Sequence, residues 1–413
     1  MVFVRLCLII GSLTLLFSCG RKTPSSGYPK FIDVTNFGII GDDSLSDSKK
    51  INLLLQRIVP NTTLHFPKGI FIFSMPTNIV VNGTKIEGSG SETVFRFDNS
   101  IDYYKKYNTR VGMLNVIANN VVIDELTIDQ NFRGSGKNDG EDASIGSIII
   151  GGKFLGKPVV TNGLHVYNCT FFDYYGDALS CFNAITNNVS IHNNVFRSSY
   201  DVGGWKSAGT KGEQAISIHS GKKVRIYDNK IYGCLDDCIA LHKNVKDVEI
   251  LNNEITTTGG RILINGTTDC VVKNNTIRYV ESGSGAIWVS FEDNMSKPSL
   301  SSNVLIEGNR IVVDSSVKVG ALIRIFGAGD NVRVRKNYIK SNGEGTGIQI
   351  KDRKLKINKK YYLGDNFFIE ENEIINCRHA IVKRMSMANG KRKVVHKGNK
   401  LEGNSNNRVD IKN

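Results

Sequence analysis

The chain has 413 residues, 40% of them hydrophobic and 22% charged. That is the composition of a folded protein with length enough for a core, and it excludes a disordered tail or a disulfide-dense miniature. The 53 basic and 39 acidic side chains leave a formal charge of +14, which argues for an anionic partner. No nucleic-acid-binding motif accompanies it, so a polyanionic glycan is the better fit.

Residues 1–19 read as a targeting signal: Arg5, an apolar run reaching Phe17, then Leu16-Phe17-Ser18-Cys19. This ending resembles the lipobox of bacterial lipoprotein signal peptides. The resemblance implies that Cys19 carries lipid and that the protein is anchored to the cell envelope, at the outer membrane, facing the periplasm or the surface. A plain secretory signal is the other reading. Residues 20–30, GRKTPSSGYPK, form a tether. Residues 31–413 then read as one domain with no second unit and no sign of obligate association.

The domain opens with a strand and a Gly-Asp turn. An amphipathic helix follows over 46–59, with Ser46 as N-cap and Ile51, Leu54, Leu55 and Ile58 on its apolar face. Such a helix suits the open end of a solenoid, which must cover its core and its strand edges. Between 98 and 160 the pattern loosens into two strand pairs, 121–128 and 144–152, with the polar loop 131–142 between them. The stretches 197–212 and 291–303 also read as long loops that would wall a groove, with Tyr200 and Trp205 as sugar-stacking rings.

From residue 169 onward one frame recurs. VRIYDNKIYGCLDDCIALHK (224–243) shows it: V-x-I-x-x-N-x-I, a turn, then a second apolar strand. The Asn slot falls at Asn194, Asn229, Asn253, Asn275, Asn309, Asn337, Asn372 and Asn399, with Cys169 in the slot before them. By subtraction the separations are 35, 24, 22, 34, 28, 35 and 27 residues. The shortest cannot hold a crossover helix, so the repeats predict an all-β parallel β-helix with two or three strands per coil. Asn suits a corner because it tolerates left-handed backbone and its amide can bond from coil to coil. Cys169, Cys181, Cys234, Cys238, Cys270 and Cys377 lie inside repeats without metal-type pairing and read as small core residues.

The second strands fall at 176–182, 213–220, 236–243, 260–267, 285–292, 320–327, 346–353 and 379–385. Anchored on their inward Ile or Leu, they place Asp177, Gln214, Asp237 and Gly260 in one column, and Glu213 and Asp236 beside it. Ser217, Ala240, Leu263 and Trp288 form a second column; His219, His242 and Asn265 form a third. Carboxylates beside a His pair are the groups that glycosidic-bond chemistry uses. Carboxylates two coils apart would stand about 10 Å from each other. An Asp at a corner can equally cap turn amides, so Asp177 alone is ambiguous.

Two stretches resemble the pectate-lyase-like superfamily and, within it, the polygalacturonases. Asp33-Val34, Phe37-Gly38, Gly41-Asp42, Asp47 and Phe66-Pro67-x-Gly69 are similar to the N-terminal signature of that group, and Asp236-Asp237-Cys238-Ile239-Ala240 to its catalytic coil. The resemblance implies a right-handed, single-stranded parallel β-helix and a glycoside hydrolase acting on an acidic or pectin-like glycan. It implies Asp237 as general acid, with Asp236 assisting water. The other three motifs depart. Gln214 stands where an Asp is expected, Gly259-Gly260-Arg261 replaces Gly-His-Gly, and Ala286-Ile287-Trp288 replaces Arg-Ile-Lys, while Arg324-Ile325 follows one coil later. The base would then be Asp177 or Glu213. His242 stands as a further acid–base candidate, with His219, Arg261, Trp288, Arg324 and Trp205 as substrate contacts. A polysaccharide lyase or epimerase using Arg261, Lys243 or His242 stays open, as does a non-catalytic glycan-binding lipoprotein. No metal ligand set is read; the lyase alternative alone would call for Ca²⁺.

Overall fold

A computed structural model describes residues 30–98, 111–132, 145–151, 159–174, 176–182, 184–199, 201, 214–234, 236–292, 299–327, 329–354, 361–362, 364–385 and 393–412. Each coil of the repeat contributes three strands, for example Gly221–Tyr227, Lys230–Tyr232 and Asp237–Leu241. Among the described residues these stack into three long parallel sheets of thirteen, twelve and twelve strands, and the short strand Ser299–Leu300 adds to the second antiparallel to Ile287–Glu292. The first sheet carries the V-x-I strands, the second carries the strands of the three columns, and the third is the short strand between them. The result is the parallel β-helix that the repeats predict.

The core follows from the period of two. Val224, Ile226, Ile231, Ile239 and Leu241 are all fully buried, and the same positions are filled on every neighbouring coil. The six cysteines 169, 181, 234, 238, 270 and 377 are buried in that core, and none of them forms a disulfide among the described residues. Burial pushes the Cys169 and Cys270 thiols up to about 12, as inert core sulfurs.

The corner between the first and third sheets holds the amide ladder. Asn229 Nδ2 donates to Asn253 Oδ1 at 3.0 Å, and Asn253 Nδ2 to Asn275 Oδ1 at 2.9 Å. The chain of bonds runs from Asn194 to Asn399, and the Cys169 backbone N–H donates to Asn194 Oδ1 at its head. Each rung also bonds its neighbour's backbone N–H, as Asn229 N does to Asn253 Oδ1 at 3.1 Å. The left-handed backbone is not at the ladder Asn itself. It falls one residue earlier, at Asn193, Asp228, Asn252, Asn274, Gly308, Lys336, Glu371 and Gly398. The ladder positions select Asn for its amide, and the preceding position selects residues that accept positive φ.

The capping helix α1 is shorter than the periodicity suggests, Ser48–Leu55 rather than 46–59. Its apolar face is as read, with Ile51, Leu54, Leu55 and Ile58 buried. Asp47, not Ser46, stands at the N-cap, and Ser46 Oγ turns away to the Ile72 carbonyl and Ser74. The stretch read as a strand pair at 144–152 is a single strand, Ile145–Gly151, paired between Val111–Val116 and Leu179–Phe182.

Candidate functional site

The outer face of the second sheet gathers the polar groups. Its register confirms two of the columns. Ser217, Ala240, Leu263, Trp288 and Arg324 lie opposite one another on successive coils, and His242 follows Leu241 where His219 follows Ile218. The first column is corrected. A β-bulge between Asp237 and Ile239 makes Asp237 face Arg261, so Gly260 is not its partner. Cys238 is the extra residue. It turns into the core beside Ile239, both fully buried, and the alternation that would have hidden Asp237 is reset.

Arg261 is the hub. Its Nε lies 2.8 Å from Asp237 Oδ1, and its Nη2 lies 3.6 Å from Asp236 Oδ1. Its Nη1 donates to Ser284 Oγ at 3.1 Å. The contact to Asp237 is close but misaligned, so Asp237 Oδ1 and Arg261 Nε have charge contact without a formed hydrogen bond. Burial pushes the Asp237 carboxyl up to about 8 against the pull of Arg261, and the charges of Asp236 and Asp177 add to the rise. The poor alignment explains why the guanidinium does not hold that carboxyl charged against its burial.

The two aspartates differ in access. The Asp237 side chain is 3% exposed and that of Asp236 is 38% exposed. Gln214 Nε2 donates to Asp236 Oδ2 at 3.3 Å, so the Gln in the expected Asp position serves as a strut for Asp236. Asp177 sits two coils away, with its backbone carbonyl accepting from Ser147 N and Gln130 Nε2.

Trp288 is clamped. The guanidinium carbons of Arg261 and Arg324 stand 4.2 Å and 4.3 Å from its ring centroid, from the preceding and the following coil. Both ring faces are thereby taken, so Trp288 is no sugar-stacking platform. It is a spacer that separates two cations. Its Nε1 lies over Gly285, where an added Cβ would come within 2.6 Å of the indole nitrogen and 1.9 Å of the Ala321 carbonyl. Beneath, the buried Tyr279 hydroxyl donates to the Gly260 carbonyl at 2.8 Å and contacts that of Gly285. It ties together the backbones that present Arg261 and Trp288. In sequence Tyr279 reads only as an inward strand residue, and nothing there signals its role.

His219 and His242 stack with centroids 4.7 Å apart, and His219 Nε2 is 3.0 Å from Ser217 Oγ. They occupy the far edge of the sheet, about 15 Å along the strand from Asp237. The register therefore separates His242 from the aspartates. Lys243 is exposed at that same edge, with φ of 51°. Glu213, Tyr200, Trp205 and Cys19 lie outside the described residues. Among the described residues no group of three or more His, Cys, Asp or Glu is arranged to hold a metal ion.

Comparison with known proteins agrees on architecture. The family model described as a right handed beta helix region matches residues 207–303. No curated protein sequence matches the chain. Among solved structures, the A-module of the Azotobacter vinelandii mannuronan C-5 epimerase AlgE6 superposes with a TM-score of 0.67 at 15% identity, covering 92% of this chain and 99% of that one. The Streptococcus pneumoniae surface protein and adhesin PfbA gives 0.66 at 15% identity, over 93% and 100% of the two chains. A hyperthermoactive exopolygalacturonase from Thermotoga maritima gives 0.55 at 14% identity, over 90% and 92%. At such identities the likeness establishes the fold, a right-handed parallel β-helix.

Proposed function

We propose that the chain is a polysaccharide-degrading enzyme, a glycoside hydrolase that takes an acidic, pectin-like glycan along the outer face of the second sheet. The observation that carries this reading is the Asp236–Asp237 pair bridged by Arg261. A general acid must hold a proton when substrate arrives and must reach the leaving oxygen. Asp237, pushed up to about 8, keeps its proton at neutral pH, and Asp236 beside it is open to solvent. We assign proton delivery to Asp237 and alignment of substrate and water to Asp236. Asp177 is the second carboxylate of the reaction. It lies two coils away, about 10 Å, close to the roughly 6.5–9.5 Å spacing of inverting hydrolases.

Elimination chemistry is less well served. A lyase or epimerase needs a base for the proton beside the uronate carboxylate. Arg261 is held between two aspartates, and a guanidinium does not give up its proton in a protein. His242 is about 15 Å from the pair. The epimerase and polygalacturonase among the structural neighbours bear on carbohydrate polymers by their names, and the adhesin keeps a binding role in contention.

The test is an assay of the purified chain on acidic polysaccharides, read both as new reducing ends and as ultraviolet absorbance of unsaturated uronate. Hydrolysis gives reducing ends without absorbance. Asp237→Asn is expected to cut turnover about 10²- to 10⁴-fold with binding kept. Full turnover in a destabilised Asp237→Asn protein would end the assignment. The envelope location is a separate proposal resting on Leu16-Phe17-Ser18-Cys19: Cys19→Ala should release the protein from the membrane fraction, and unchanged partitioning would refute it.

A further inference from the structure

Most arginines that decorate this β-helix have an acid beside them. Arg278 pairs with both oxygens of Asp314 at 3.0 Å, Arg225 with Glu249, and Arg335 with Glu307. On the second sheet this pattern stops after Arg261. Arg324, half-buried, has the Trp288 ring against it and no acidic partner among the described residues, and its Nε is buried without an acceptor. Arg384 Nε is buried without an acceptor as well. Lys351 stands opposite Arg384 in register, its Nζ 5.5 Å from the Phe326 ring. Burial, and after it the charges of Arg261 and Arg384, hold Arg324 below the usual guanidinium range. Half-buried guanidinium groups facing one another without a counter-ion are costly. Here Trp288 is wedged between Arg261 and Arg324, which holds the cation in place instead of letting it swing into water.

We propose that Arg324, Arg384 and Lys351 form an anion subsite, distinct from the aspartate pair, whose missing counter-ion is a carboxylate or sulfate on a bound glycan. This rests on the reading of the second-sheet face as the glycan-binding face. It adds a distance. Arg324 is three coils from Asp237 and Arg384 is five, about 14–24 Å at the strand spacing. The charged group therefore belongs to a sugar removed from the bond at Asp236–Asp237, and short oligosaccharides cannot reach both. An anionic polymer suits such a bipartite face, with its reacting bond at the aspartate pair and a charged group further along at the cations.

The test is calorimetric titration of the full chain with matched hexamers: an oligogalacturonate, a sulfated oligosaccharide and a neutral glucan. One of the two anionic ligands should bind at least 10-fold more tightly than the neutral one. Arg324→Gln and Arg384→Gln should each weaken that ligand about 10- to 100-fold, the usual loss for a bond to a charged group. Neither should change neutral binding, and the paired Arg225→Gln on the first sheet should shift affinity less than about 3-fold. Which hexamer wins tells carboxylate from sulfate. Equal binding of charged and neutral hexamers, or variants no weaker than Arg225→Gln, would overturn the subsite. Should Arg324→Gln not fold, Arg384→Gln carries the same test, because the Trp288 stack is left intact. Failure of the hydrolase reading shows separately, as retained turnover in Asp237→Asn with the binding differences unchanged.

Discussion

Two corners of this solenoid are built by opposite rules. At the corner between the first and third sheets every coil repeats the same solution, an Asn whose amide bonds the next from Asn194 to Asn399. At the corner that leads into the second sheet no one side chain recurs in this way among the described residues: the coils there carry Cys234, Thr257, Tyr279 and Ser341. There the chain places a bulge at Cys238, the Gly260 and Gly285 carbonyls under Tyr279, and the Asp237–Arg261 contact. The first corner is optimised for stacking and can tolerate no individuality. The second gives up that regularity, and its groups are held by contacts specific to one coil. Where local rules are broken and other contacts compensate, function is the economical explanation.

Substitutions at the two corners should therefore fail in different ways. The largest effect is expected at the irregular corner: Asp237→Asn loses about 3–5 kcal/mol of transition-state stabilisation, read as turnover, while the protein stays folded. The same variant alters the pH dependence of stability. A carboxyl whose pKa is about 8 when folded and about 3.9 when unfolded binds more protons in the native state between those values. Stability is then greatest below about pH 4 and falls as pH rises toward 8, with Asp47, raised to about 6, adding to the decline. Melting temperatures at pH 5 and pH 8 should differ less in Asp237→Asn than in the parent; an unchanged difference would mean Asp237 is ionised throughout.

At the regular corner, Asn253→Ala removes the acceptor of the Asn229 backbone and side-chain N–H groups and a donor to Asn275. The expected cost is about 3 kcal/mol in denaturant unfolding, with turnover per folded molecule untouched. Loss of turnover there would erase the contrast between the corners. Tyr279→Phe should fall between the two classes. Orphaning buried carbonyls costs about 1–2 kcal/mol, and a looser Arg261 should lower turnover several-fold and move the upper limb of the pH–rate profile upward, because Arg261 is what lowers Asp237. A stability loss with an unmoved profile would make Tyr279 purely structural. The smallest effect is expected at Asn399→Ala, on the last rung, which is part-exposed and bonds only towards Asn372 and Ile369: below about 1 kcal/mol.

The amide ladder of the regular corner was legible in the sequence, because a fixed Asn slot with apolar alternation has one economical solution; its left-handed residue, one position before the Asn, was not, because that position holds Asn, Asp, Gly, Lys or Glu without a fixed letter. The columns of Trp288 and the histidines were legible too, since register follows once the inward Ile and Leu are anchored. The bulge was not. DDCIALHK alternates acceptably with Asp237 either in or out, and only the packing of Cys238 beside Ile239 decides. That one residue exchanged Gly260 for Arg261 as the partner of Asp237. The clamp on Trp288 was not legible either, because its two arginines come from coils 27 and 36 residues away by subtraction. Ser46 lost the N-cap because the strand Gly69–Phe73 offered its hydroxyl a tertiary partner, the Ile72 carbonyl.

The bulge has a bearing on how such a surface could change over time. In this fold the outer face is addressed by strand position, and strand position is counted in single residues. Taken into the regular ladder instead of bulging, Cys238 would stand opposite Arg261 and Asp237 would fall opposite Gly260, turned inward, whereas losing Cys238 altogether would keep Asp237 opposite Arg261 with no bulge; the ladder on the far side is undisturbed in either case. A lineage could thus revise which side chains meet across neighbouring coils by gaining or losing one residue at the turn, with no substitution in the core. Chemistry on this scaffold is open to editing by insertion and deletion, whereas most enzymes rewrite theirs by exchanging side chains in place.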